Sequence, residues 1–196
     1  MGDSMSSVIL TGDTSGTLNL AAPLIAGTNT QTLVAATGTL APIVSGTYTA
    51  ASGTSVDFTG IPSWVKRITV MLTGLSLNAN ANFLLQVGTS SGFTTTGYTG
   101  AVTVTGNGVA TQGIQFSNGI TIFGGSLSNI TTGVIQIALS TPNLWVFSGT
   151  YGLNNAIYAG SLGGYVSLAA TLDRVRITST SGTDTFDAGS INILYE

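Results

Sequence analysis

The sequence predicts an all-β protein: a jelly-roll-like β-sandwich head preceded by a short extended β-stalk or arm. Three observations carry that expectation. Short β-branched and apolar runs alternate with Gly, Asn, Ser and Thr along the 196 residues, and no segment sustains a helical period. Turn-forming pairs punctuate these runs at Asn107-Gly108, Asn118-Gly119, Gly124-Gly125, Gly163-Gly164 and Ser181-Gly182. Finally, no charged side chain occurs between Arg67 and Asp173. Charged residues make up 6% of the chain, against about a quarter in an ordinary soluble domain. A monomer keeps charge on its surface for solubility, so this chain reads as one that covers much of its surface with copies of itself or works outside the cell at high local order.

Taken in order, Met1 to Pro42 forms the predicted arm and residues 43–196 the head. The arm is rich in small residues and has no aromatic side chain. From Thr11 to Pro42 its apolar residues, Leu18, Leu20, Leu24, Ile25, Leu33, Val34 and Leu40, are too few to close a core within one chain. They recur in Thr-flanked, extended contexts, with Gly16-Thr17-Leu18 echoed by Gly38-Thr39-Leu40. An intertwined β-stalk completed by neighbouring chains fits better than a flexible tether. In the head the clearest strands are Ile68 to Leu72, Phe83 to Val87, Val134 to Leu139, Leu144 to Phe147, Val175 to Ile177 and Ile191 to Tyr195. Many short strands between turns make a sandwich or a barrel.

Composition removes several function classes. The chain has no Cys, hence neither disulfides nor thiolate metal sites. It has no His, which eliminates Ser-His-Asp chemistry and His-ligated zinc. No catalytic residue, metal site or cofactor is therefore assigned. The net charge is -3, and only Lys66, Arg67, Arg174 and Arg176 are basic, too few for a phosphate-tracking stripe on nucleic acid. Apolar runs stop well short of the ~18–20 residues that span a bilayer. Met1 to Met5 carries neither a basic nor an apolar signal region, and a protein that works outside a cell without a secretion signal fits a particle component released by lysis.

Two constellations stand out. Lys66, Arg67, Asp173, Arg174 and Arg176 cluster at the two ends of the head sequence. Arginine forks could clamp a carboxylate or phosphate. The favoured reading is a structural ion network stapling strands near the chain's two ends, with Asp57, Asp184 and Asp187 as further partners. Asp184 and Asp187 stand three apart in a loop, which suits a turn better than a glycosidase pair facing across a cleft. Tyr151, Tyr158 and Tyr165 recur at a spacing of seven among glycines and asparagines. Aromatic platforms beside hydroxyls and amides suit a neutral glycan, and these three are the candidate receptor contacts. The bland alternative is that they fill the core or a subunit interface.

Two stretches carry a family resemblance. They are Pro62-Ser63-Trp64-Val65-Lys66-Arg67-Ile68-Thr69-Val70-Met71, and the C-terminal block from Leu172-Asp173-Arg174-Val175-Arg176-Ile177-Thr178 through Ile191-Asn192-Ile193-Leu194-Tyr195-Glu196. Both resemble the C-terminal domain of tail-fibre-like proteins of tailed bacteriophages, and the threonine-rich arm is similar to the stretch that often precedes that domain. The resemblance implies a virion structural protein and homotrimer with no catalytic residues. The location expected from it is the virion, assembled in the host cytoplasm. Its head would meet a host surface glycan or protein, and its arm would attach to another virion protein. A capsid decoration protein is the alternative, and a capsule depolymerase a more distant one.

Overall fold

The computed structural model describes residues 7–11, 17–21, 44–45, 49–50, 52–106, 109–154 and 157–196. The chain divides into two compact units, Met1–Leu40 and Ala41–Glu196. In the first, β1 (Ser7–Thr11) pairs antiparallel with β2 (Thr17–Ala21), placing Ser7 opposite Ala21 and Thr11 opposite Thr17. The repeated Gly-Thr-Leu at Gly38 to Leu40, and Leu24, Ile25, Leu33 and Val34 of the expected stalk, lie outside the described residues.

The second unit is built of antiparallel strands alone among its described residues. In chain order they begin with β3 (Val44–Ser45), β4 (Thr49–Ala50), β5 (Ser55–Thr59), β6 (Arg67–Leu77), β7 (Phe83–Thr89) and β8 (Gly92–Phe93). There follow β9 (Thr99–Gly106), β10 (Val109–Gln115), β11 (Ile120–Ile122) and β12 (Thr131–Thr141). The last four are β13 (Leu144–Leu153), β14 (Tyr158–Ser167), β15 (Arg174–Ser179) and β16 (Phe186–Tyr195). The larger sheet runs β10-β9-β14-β13-β12-β6-β16-β3, with β4 also on β16. The smaller runs β11-β7-β15-β5, with β8 on β7.

The two sheets form a sandwich because alternation gives each an apolar inner face. On β12, Ile135 and Ile137 are buried while Thr132, Val134 and Gln136 face outward. On β13, Trp145, Phe147 and Tyr151 point in, and Val146, Ser148 and Thr150 point out. Strand β7 is buried along its whole length, so it reads as an unbroken FLLQV run rather than an alternating one. Across the gap the Phe83 ring of β7 stacks on Phe186 of β16, with centroids 6.2 Å apart. Tyr98 packs on Phe147 at 6.1 Å. Each large apolar side chain buried this way contributes about 1.5–3 kcal/mol, so the core, rather than the sparse charges, holds the unit together.

The six predicted apolar runs all lie within strands, in β6, β7, β12, β13, β15 and β16. One predicted turn is not a turn. Gly163 and Gly164 sit inside β14, paired with Ser148 and Phe147 of β13. Gly164 is there because a Cβ would lie 2.2 Å from the Thr99 carbonyl and 2.9 Å from the Phe116 ring. The glycine lets β14 and β9 approach while an aromatic ring lies over both, since Gly100 meets the same ring at 2.9 Å. Asn118-Gly119, Gly124-Gly125 and Ser181-Gly182 do fall between strands, and Asn107-Gly108 lies outside the described residues.

Candidate functional site

Tyr151 and Tyr158 turn inward and Tyr165 outward. On β13 the odd-numbered residues face the core, and Tyr151 is 4% exposed. Its hydroxyl accepts the Phe123 N–H at 2.9 Å, and burial pushes its pKa up to about 12. The ring lies against Gly160, where a Cβ would come within 2.2 Å of it, and a Cβ at Gly133 would come within 2.3 Å of Tyr151 Cβ. Tyr151 is thus a core residue, a correction to its candidacy as a receptor platform. Tyr158 is half-buried on the inner side of β14 and lines a small cleft with Val104, Gln112 and Phe123. Tyr165 is 45% exposed on the outer side, opposite Val146. The three do not converge: residues an odd number apart on one strand face opposite ways.

The ion cluster resolves into separate pairs. Arg67 opens β6 and meets Glu196 through its guanidinium, while the two backbones exchange hydrogen bonds of 2.9 and 3.0 Å. This pair does join the start of the head to the chain's end. Arg176 of β15 makes a two-pronged bond to Asp57 of β5, at 2.7 and 2.6 Å. Arg174 bonds its neighbour Asp173 at 2.8 Å and the Ser90 carbonyl at 3.0 Å. Both β15 arginines also lie over the Phe93 ring, Arg176 at 4.1 Å and Arg174 at 5.7 Å. The expected single network fails because β6 and β15 belong to different sheets. Asp187 bonds the Ser76 hydroxyl and Asp184 the Ser181 hydroxyl, so neither joins an arginine.

Two features went unpredicted. The outer face of the larger sheet is uncharged from β12 across β13 and β14 to β9. Its register aligns Val134, Thr150, Ser161 and Thr103 in one row, continued on β6 by Met71, and Ala138, Val146, Tyr165 and Thr99 in another, which ends on β6 at the exposed Arg67. Val134 is 44% exposed and Val146 41%. A shallow depression of about 570 Å³ lies on this face, lined among others by Gly152, Ala159, Thr105, Thr132 and Thr150. On β9 and β14 the sequence signal for it was the outward Thr, Ser, Ala and Gly of strands too poor in apolar residues to be recognised.

The other feature is a cleft of about 410 Å³ beside the β12–β13 turn. Pro142 and Asn143 make that turn, with Asn143 at φ 63°, the residue order of a type II turn. It is lined by the apolar Val65, Leu139, Trp145 and Leu172 and by Lys66, Asn143, Ser63, Ser140, Thr141 and Thr171. Trp145 is 2% exposed, and its indole N–H finds no acceptor. Lys66 is exposed and, unlike Arg67, Arg174 and Arg176, forms no ion pair among the described residues. No carboxylate lines the cleft. Among the described residues no group of His, Cys, Asp and Glu is arranged to hold a metal ion.

Comparison with known proteins finds no matching family model, and neither a curated protein nor a solved structure matches the chain.

Proposed function

We propose that the chain is a binding and structural component of a tailed-bacteriophage virion, either a short tail fibre or a capsid decoration, assembled as a homotrimer. The observation that carries this is the uncharged part of the larger sheet's outer face, across β12, β13, β14 and β9. A charged partner surface laid on Val134, Val146 and the threonine rows would be desolvated without ionic partners, whereas another copy of this neutral face loses nothing of the kind. Cyclic closure lets each chain cover its neighbour. The number three, the phage assignment and the role of the arm in attachment come from the resemblance of the Pro62 to Met71 stretch and the C-terminal block to fibre heads.

The chemistry available to the described carboxylates supports binding rather than catalysis. Asp57, Asp173 and Glu196 are held by arginines, and Asp184 and Asp187 by serine hydroxyls. A two-carboxylate hydrolysis needs an opposed pair free to exchange protons. The test is localisation of the protein in virions by electron microscopy with a head-directed antibody. Density at the tail tip or on the capsid is the expected result and distinguishes the two placements; particles devoid of label would refute both.

A further inference from the structure

We infer that Ile157 of one chain seats in the shallow depression on the outer face of a neighbouring copy and anchors the contact between them. Exposed apolar side chains gather on this face. Of the six large ones exposed among the described residues, Val134, Val146 and Tyr165 lie in its rows. Ile157 stands at its end, one residue before β14, and is the most exposed of the six at 75%. Apolar side chains left in water together on one surface mark a place of contact. The same face holds a recess for the most prominent of them. The depression of about 570 Å³ has Val134, Gly152 and Ala159 in its lining beside Thr150 and Ser161, and no charged residue. A charged occupant would be desolvated there without an ionic partner. A lipid surface would cover Ile157 and Val146 but strip water from the threonine and serine hydroxyls around them, and a neutral sugar would pair with the hydroxyls and leave Ile157 in water. A second copy offers both chemistries at once, an aliphatic side chain for the depression and hydroxyl rows for hydroxyl rows. A protruding side chain that fits a recess elsewhere on the same molecule makes a head-to-tail contact, which closes into a ring where the rotation allows.

This contact rests on the reading of the neutral face as one covered by other copies, and it names the side chain and the recess that meet. Full-length Ile157→Asp and full-length Thr150→Lys are measured by light scattering at micromolar concentration, each alone and the two mixed. Both side chains are exposed, so the far-ultraviolet circular dichroism should match that of the unmodified protein. Each variant alone is expected to associate at least about thirtyfold more weakly, as the loss of a central anchor does, and to approach one chain mass. The mixture is expected to exceed one chain mass, because the new carboxylate of one chain meets the new ammonium of the other. Leu127→Asp, 57% exposed but in the loop between β11 and β12, is expected to leave the mass unchanged. Undiminished assembly of Ile157→Asp would overturn the contact while leaving the reading of the face intact. So would a mixture that stays at one chain mass, or equal dissociation by Leu127→Asp. An unmodified protein of one chain mass would overturn the reading of the face, and the contact with it.

Discussion

Tyr151 shows how far a single side chain reaches in this fold. Its ring occupies space that Gly160 leaves open, its Cβ lies over Gly133, and its hydroxyl accepts the backbone N–H of Phe123. Gly160→Ala would place a methyl 2.2 Å from that ring, and we expect a loss of about 1–3 kcal/mol, read as a lowered melting temperature. Tyr151→Phe strands the Phe123 N–H and should cost a comparable ~1–3 kcal/mol. Tyr98 is held similarly, accepting the Val87 N–H at 2.9 Å, and burial takes its pKa, like that of Tyr151, to about 12. A raised folded-state pKa means that the unfolded chain releases these protons first. The stability these hydroxyls contribute is therefore complete below about pH 10 and is lost as pH rises towards 12. Spectrophotometric titration should show two tyrosines ionising late and a melting temperature falling over the same interval; six tyrosines ionising together near pH 10 would contradict it. The tyrosine spacing was open to this reading in the sequence. A spacing of seven is odd, but treating Gly163-Gly164 as a turn hid the fact that Tyr158 and Tyr165 share one strand.

At the scale of elements, strands rich in apolar residues were legible and strands rich in Thr, Ser and Gly were not. Strands β6, β7, β12, β13, β15 and β16 carry Ile, Val, Leu and Phe on their inner faces, and the pattern alone places them. Strands β9 and β14 face inward with Val102, Val104, Leu162 and Val166, but their glycines serve close backbone approach and overlying rings rather than turns. Which strands neighbour one another is not written in local pattern, because β16 meets β6 and β15 meets β7 across long stretches of chain. That is also why the charges did not form one cluster. Their pairs lie near the surface: Arg176 and Asp57 side chains are 32% and 34% exposed. Exposed pairs contribute about 0–1 kcal/mol, so Asp57→Ala and Asp173→Ala should each leave the melting temperature nearly unchanged. A loss of several kcal/mol in thermal denaturation would show that the pairs are structural members of a network after all.

For the whole molecule, the missing charge was the most legible feature and its location the least. The sequence shows that Ile68 to Leu172 is neutral; only the register shows that its outward side chains form one continuous face across β12, β13, β14 and β9. The cleft at Lys66 was illegible for a related reason, since it joins the segment before β6, the β12–β13 turn and Leu172, which are distant in sequence. If the neutral face is covered by neighbouring chains, an arginine there should separate them without unfolding the sandwich. Val134→Arg, outward and already half-exposed, is expected to yield folded monomers, with an unaltered far-ultraviolet circular dichroism spectrum. The most direct measurement is the molar mass of the unmodified protein at micromolar concentration, by light scattering coupled to size-exclusion chromatography. The account predicts three times the 19.7 kDa chain mass, falling to one chain mass in Val134→Arg. A single chain mass for the unmodified protein would contradict it.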